Sequence, residues 1–210
     1  MPSGIVAGTA AGIASAGIGA IPRRRGQSCC LARPRPPTYR KPMSAPPRNA
    51  PDGSPVVRSG EPRDAAAIAE MANALAVLTM GRPGPMTAET VVSDLLEAPG
   101  LFCMVAENPG TSGAVAGYAL YTAAYETAFA ARGLYLTDLY VQPSVRRQGL
   151  ATALIAALAA RAAAEGGIFL WWVTNPTNAE AMRVYDRLGA IRDPVVARAI
   201  YGPPFDRLLG

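Results

Sequence analysis

The stretch Val141-Gln142-Pro143-Ser144-Val145-Arg146-Arg147-Gln148-Gly149-Leu150-Ala151-Thr152 holds the strongest clue to the fold. It leaves an apolar strand, passes through a short basic turn and opens an Ala/Leu-rich helix. That order builds a phosphate cradle from backbone. The N–H groups of a helix's first turn have no intrahelical acceptor, and the positive end of the helix dipole lies beside them. Gly149 permits close approach of the backbone to a ligand, and Ala151 leaves the first turn uncrowded. Arg146 and Arg147 offer charge-assisted contacts to phosphate. The N–H groups from Arg147 through Gln148, Gly149, Leu150 and Ala151 to Thr152 are the expected anion ligands. A lone Arg-x-x-Gly-x-Ala string arises by chance, so its surroundings carry the argument.

Those surroundings read as an α/β domain. Leu134–Val141 predicts the strand before the turn, and Leu150, Leu154 and Leu158 mark the helix after it, running to Gly166-Gly167. Ile168–Val173 is a continuous apolar run, as expected of a strand buried on both faces in a parallel section. Thr177-Asn178-Ala179-Glu180 has capping-box spacing and opens a helix that ends at Gly189. Residues 195–201 predict a last strand. Upstream, Val56-Val57-Arg58 predicts a short strand, and Asp64 caps a helix with Ile68, Met71, Leu75 and Leu78 on one face. Met86–Glu97 reads as a second amphipathic helix around Val91, Val92, Leu95 and Leu96. Leu101–Glu107 and Ala114–Tyr121, separated by a turn at residues 108–113, read as an antiparallel pair.

Half of the 210 residues are apolar, enough for a sizeable core in the C-terminal three-quarters. The formal net charge of +5 is unevenly placed. Residues 1–50 hold eight basic residues and no acid, whereas residues 51–210 carry 12 basic against 15 acidic residues, a net of −3. The mildly acidic part gives no electrostatic argument for a nucleic-acid partner. Residues 1–54 are rich in Pro, Arg, Ser, Ala and Gly and are expected to be a disordered extension; residues 55–210 are the expected domain. Within the uncharged run of residues 1–21 only Ile5, Val6, Ile13, Ile18 and Ile21 are strongly apolar. No basic segment precedes them, so neither a membrane anchor nor a secretory signal is expected. Met43, near the composition shift, is a candidate start. Cys29 and Cys30 are adjacent, Cys103 lies in a strand-like run, and the chain has no His. No metal-ligand spacing results, and a reducing, cytoplasmic compartment is expected.

Order and motifs resemble the GNAT family of N-acetyltransferases over roughly residues 55–205. Leu139-Tyr140-Val141-x-Pro143 leading into Arg146-x-x-Gly149-x-Ala151 resembles the family's pyrophosphate loop for acetyl-CoA. The strand–helix–strand unit through Trp171-Trp172-Val173 follows in order. Asn178-x-x-Ala181-x-x-x-Tyr185-x-x-x-Gly189-Ala190 is similar to the family's Asn-x-x-Ala…Tyr-x-x-x-Gly-Phe. The resemblance implies a central mixed β-sheet flanked by helices on both faces, with acetyl-CoA as cosubstrate. It implies that the pantetheine arm pairs with a strand edge at Leu139, Tyr140 and Val141, where two parallel strands splay, and that a backbone N–H near Leu139 faces the thioester carbonyl. Asn178 either contacts the pantetheine or caps its helix. A possible homodimer rests on the same resemblance.

Tyr185 is read as the general acid for the departing thiolate, or else as a core aromatic on an amphipathic helix. A primary ammonium has a pKa near 10.4, so about one molecule in a few thousand is nucleophilic at pH 7 and a base is needed. Without His, the candidates are Glu126, Asp138 or a water chain ending at either. Tyr121–Val141 resembles the diamine (polyamine) branch, which has Leu-Glu-Asp where this chain has Leu136-Thr137-Asp138; strict strand alternation puts Asp138 and Thr137 on opposite faces. Tyr118, Tyr121 and Tyr125 suit either an acceptor pocket or strand packing, and Trp171 and Trp172 suit core and interface packing better than a substrate cage. The implied activity is acetyl transfer to the primary amine of a small molecule by direct attack in a ternary complex. A protein lysine or N-terminus as acceptor, a non-catalytic acetyl-CoA-binding module and a nucleotide-binding domain are the alternatives.

Overall fold

The computed structural model describes residues 55–209 apart from Phe129 and Pro194. The expected extension of residues 1–54, with its uncharged run and Met43, lies outside the described residues. Residues 55–192 belong to one compact unit and residues 193–209 to a second.

In the first unit a five-stranded sheet runs in the order β1 (Val57–Ser59), β2 (Leu101–Asn108), β3 (Thr111–Glu126), β4 (Ala131–Val141), β5 (Phe169–Trp171). β1 to β4 are antiparallel neighbours, and β4 pairs with β5 in parallel, so the sheet is mixed. Tight turns suffice for the antiparallel part, whereas the parallel pair needs a crossover, which α3 (Leu150–Ala164) provides. On one face α1 (Ala65–Met80), α2 (Ala88–Thr90) and the π-helical stretch Val91–Leu96 that continues it pack over Val105, Tyr118, Leu120 and Tyr140. On the other, α3 and α4 (Ala179–Arg187) pack Leu154, Leu158 and Tyr185 over Met104, Leu134, Leu136, Leu139 and Val141.

Three expectations are corrected. The second amphipathic helix is one α-turn followed by wider π turns, closed by a bond from the Glu97 N–H to the Val92 carbonyl at 3.0 Å. The strand expected over Ile168–Val173 shrinks to Phe169–Trp171, half-buried, with Ile168 79% exposed. Among the described strands β5 is an edge strand with one neighbour, so its residues are half-buried rather than enclosed on both sides. It also lies close in: a Cβ on Gly133 would stand 2.6 Å from the Phe169 ring, which is why β4 has glycine at the start of this pairing. In the second unit, residues 195–201 form no strand; all are exposed, and β-propensity without a face to bury does not make one. α5 (Pro203–Asp206) is a single turn there.

A β-bulge on β4 matters most for the site. Leu120 opposes Asp138 and Tyr121 opposes Leu136, which leaves Thr137 as an extra residue. The Thr137 hydroxyl donates to the Leu120 carbonyl at 3.0 Å. Leu134 and Leu136 before the bulge, and Leu139 and Val141 after it, all join the core under α3. Unbroken alternation would have turned Leu139 and Val141 to the α1 face. The opposite-face expectation for Thr137 and Asp138 therefore fails: both fall in the two-residue interval between Leu136 and Leu139.

Asp64 stands at the N-terminus of α1 but does not cap it. Its carboxylate is drawn to the buried Arg58 guanidinium, whose Nη1 and Nη2 donate at 2.6 and 2.9 Å, and it accepts the Glu61 N–H at 2.9 Å. Arg58 Nε donates to Glu107 at 2.9 Å, so one guanidinium ties β1, β2 and the start of α1 together. Burial opposes the charge on Asp64, but the bonds from Arg58 and Glu61 outweigh it and hold the carboxyl below its usual range. That stability is present above the unfolded carboxyl pKa and is lost as pH falls through the folded one. Asp64→Ala leaves a buried guanidinium under-compensated, at an expected cost of about 3–5 kcal/mol in urea melts at pH 7. The difference from wild type narrows in melts at acid pH.

Candidate active site

β4 outruns β5. Parallel pairing covers Gly133 to Tyr135 only, so Leu136–Val141 has no neighbour on that side among the described strands. The Gln142 N–H donates to the Ala116 carbonyl of β3 at 2.8 Å. Alternation along the strand then turns the N–H and C=O groups of Leu139 and Val141 away from β3, toward the gap. The Val141 carbonyl accordingly meets Arg146 Nε at 3.2 Å rather than a β3 partner.

Beyond β4 the chain turns through Pro143–Val145 into the loop that opens α3. Arg147 (φ 62°) and Gly149 (φ 84°) both adopt the left-handed conformation. Left-handed residues in succession with right-handed ones turn neighbouring N–H groups into a concavity that suits an anion. For Arg147 this conformation carries strain, a feature that clusters at ligand clamps. Among the described residues no side chain caps α3, and its first intrahelical bond runs from the Ala153 N–H to the Gly149 carbonyl at 2.9 Å. The N–H groups of Leu150, Ala151 and Thr152 precede that bond.

A cleft of about 280 Å³ lies over this loop, lined by Arg146, Arg147, Gly149, Leu150, Ala151 and Thr152 together with Glu180, Arg183, Val184 and Arg187 of α4. Arg183 and Arg187 were not singled out from sequence. Their signal was present, since Glu180, Arg183, Val184 and Arg187 follow i, i+3, i+4, i+7 spacing and so share one helix face. Arg146 does more than line the cleft. Its guanidinium lies 6.0 Å from the Tyr140 ring centroid and 3.6 Å from the Glu180 carboxylate, bracing the end of β4 against α4.

The start of α4 is capped by Asn178 rather than by Thr177, one residue later than capping-box spacing implied. Asn178 Oδ1 accepts the Ala181 N–H at 3.1 Å, while the Thr177 hydroxyl bonds Asn175. Two turns on, Tyr185 packs its ring 4.9 Å from that of Trp172, and Trp171 packs 5.1 Å from Tyr135. The Tyr185 hydroxyl is buried with no hydrogen-bond partner among the described residues. Burial pushes its pKa above that of a free phenol, so it keeps its proton at every physiological pH. An unmet buried hydroxyl costs about 1–3 kcal/mol, and a bound acceptor removes that cost.

Asp138 immediately precedes Leu139. Burial pushes its carboxyl up to about 6, although the Tyr118 hydroxyl, donating to Oδ2 at 3.3 Å, favours the ionised form. Glu126 is not brought to it. It ends β3 opposite Ala131, six residues beyond the Leu120–Asp138 pair, or about 20 Å at strand rise. There its carboxylate accepts the Ala128 N–H at 2.9 Å. Tyr121 stacks on Phe102, and the exposed Tyr125 lies 6.0 Å from the Arg132 guanidinium. Cys103 is buried, and burial followed by the charges of Asp64 and Asp138 pushes its thiol up to about 12. Among the described residues no His/Cys/Asp/Glu group is arranged to hold a metal, and no helix is long and apolar enough to cross a membrane.

The model of the acetyltransferase (GNAT) family matches residues 70–190, more than half of the chain, and the chain belongs to that family. It is 36% identical over 99 residues to thialysine N-epsilon-acetyltransferase of Bos taurus, covering 45% of this chain and 58% of that protein. It is 30% identical over 76 residues to the L-ornithine N5-acetyltransferase of Arabidopsis thaliana, covering 36% and 33% of the two chains. The matches thus span less than two thirds of these relatives. Among solved structures, an integron cassette protein from the mobile metagenome of V. cholerae superposes with a TM-score of 0.62 at 22% identity, over 74% of this chain and 98% of that one. That likeness in fold, with the family match, supports the α/β GNAT-like fold.

Proposed function

We propose that this chain transfers acetyl from acetyl-CoA to the primary amine of a small molecule, with both substrates bound together. One observation carries the reading: the edge of β4, unpaired among the described strands beyond Tyr135, runs into the basic loop that opens α3, and the cleft there is walled by α4, whose buried Tyr185 hydroxyl has no partner among the described residues. These residues fit coenzyme A. The N–H groups from Arg147 to Thr152 would hold the pyrophosphate, with Arg146, Arg183 and Arg187 adding charge. The edge at Leu139 and Val141 would pair the amide-bearing arm, whereas Tyr140 between them turns its N–H and C=O to β3 and is not part of that edge. When bound, acetyl-CoA supplies an activated acetyl thioester.

The chain's own groups do the rest. The Leu139 N–H is aimed where a carbonyl oxygen gains negative charge. The Tyr185 hydroxyl donates to sulfur as charge builds there, a task that its retained proton suits. Asp138, with a carboxyl at about 6, is ionised at neutral pH yet basic enough to take the ammonium proton. Direct attack is favoured because Cys103, buried in the core under α1, keeps its proton. The names of the relatives, thialysine and ornithine acetyltransferases, favour an amino-acid-like amine as acceptor.

Mass spectrometry of products formed from acetyl-CoA with side-chain amino acids, polyamines and peptides tests the acceptor class. Acetylated small amines are expected. Acetylation of peptides alone would move the reading to a protein acceptor. Tyr185→Phe is expected to lower kcat about ten- to a hundredfold with little change in acetyl-CoA affinity. Its Tm should not fall, because the deleted hydroxyl has no partner to lose. A wild-type rate at every pH would make Tyr185 a packing residue.

A further inference from the structure

We propose that Tyr118 is a positioning residue for this site, holding the Asp138 side chain in place and in its ionised form. The inference rests on the reading of Asp138 as the base. Tyr118 is fully buried on β3, and its hydroxyl donates to Asp138 Oδ2 at 3.3 Å. The register sets that meeting. Tyr118 opposes Tyr140 and Leu120 opposes Asp138, which makes Tyr118 and Asp138 diagonal neighbours on the face that α1 covers, while Leu139 and Val141 turn into the α3-side core. Asp138 directly follows the Thr137 bulge, where a carboxylate without a second anchor samples several rotamers, and a general base must be held in one.

The surroundings leave Tyr118 as the polar partner that matters. β2 presents Cys103, whose thiol stays neutral across the working pH range. α1 presents Ala65, Ile68, Ala69, Met71 and Leu75, and the π-helical stretch presents Val91, none of them titratable. Asp64, at the start of α1, is neutralised by Arg58. Burial drives the Asp138 carboxyl upward, and the Tyr118 bond opposes it. Deleting that bond therefore disfavours the carboxylate and moves its titration to higher pH.

The test is the pH profile of kcat/KM for the full chain, with Tyr118→Phe and Asp138→Asn. In wild type the acid limb is expected near pH 6. Tyr118→Phe should move it up by about one unit: roughly tenfold lower kcat/KM at pH 5.5, within about twofold of wild type above pH 8.5, and unchanged acetyl-CoA affinity. A uniform loss at all pH, with the limb in place, would make Tyr118 a packing residue and overturn the inference. Asp138→Asn should abolish the limb. A limb that survives in Asp138→Asn overturns instead the reading of Asp138 as the base. Should Tyr118→Phe not fold, 3,5-difluorotyrosine at position 118 serves: its more acidic hydroxyl is a stronger donor, and the limb should move down. No movement there overturns the inference.

Discussion

Asp138→Asn is expected to lower kcat/KM by about 10²- to 10⁴-fold at pH 7.5, the range for losing a positioned general base. The amide keeps the shape of the side chain and can still accept from Tyr118, so the loss reports the missing base rather than a collapsed site. The pH signature follows from the sign of the shift. Asp138 is raised to about 6 in the folded protein, above an ordinary carboxyl, mainly by burial. Wild-type activity should fall as pH drops through that value and the carboxylate takes up a proton. A raised carboxyl also contributes stability below the unfolded pKa that is lost as pH rises through the folded one. At neutral pH the charged Asp138 is therefore a burden on the fold, and Asp138→Asn should melt no lower than wild type. Lost turnover with retained or raised Tm is the pattern of a residue kept for chemistry.

Gly149→Glu is expected to weaken acetyl-CoA binding by more than 10²-fold, read by calorimetry or by the ligand-induced rise in Tm. Gly149 sits at φ 84°, and a Cβ there would meet nothing nearer than Pro55 Cγ at 4.0 Å. Bulk against the protein is thus not the reason. The new carboxylate would stand over the N–H groups proposed to hold the pyrophosphate. At about 5 Å and an effective dielectric of 20, its repulsion of one phosphate charge is roughly 3 kcal/mol. The left-handed conformation adds a smaller cost, partly offset by the favourable placement of an acid at a helix N-terminus. Gly149→Ala carries the backbone cost without the charge and should bind far closer to wild type. Equal affinity in Gly149→Glu and wild type would remove the loop from the site.

The strand, turn and helix of the proposed cradle were legible in sequence because they are local. A strand, a basic turn with Gly149 and an Ala/Leu helix lie within a dozen residues, and helix geometry alone aims the N–H groups. Tyr185 was singled out by the resemblance of Asn178-x-x-Ala181-x-x-x-Tyr185 to the family's motif, since spacing along the helix alone fits a core aromatic equally. What failed depended on neighbours distant in the chain. Thr137 and Asp138 read as ordinary alternation until pairing with Leu120 and Tyr121 exposed the bulge. Asp64 has the chemistry of a helix cap, but the buried Arg58 guanidinium is the stronger partner. The strand at Phe169–Trp171 is short because it ends the sheet, and an apolar run does not reveal how many neighbours it will have. Glu126 and Asp138 are alike as carboxylates, and only the register of β3 on β4 separates them by most of a strand. Arg183 and Arg187 were overlooked because their role appears only when α4 is set against the loop before α3.

The central claim is catalysed acetyl transfer at the gap between β4 and β5. Its most direct test is the release of CoA thiol by the full chain with acetyl-CoA, with and without a mixture of side-chain amino acids and polyamines. Amine-dependent release by wild type, absent in Gly149→Glu and strongly reduced in Asp138→Asn, is the predicted result. Acetyl-CoA binding without amine-dependent release would contradict it and leave a non-catalytic acetyl-CoA-binding module.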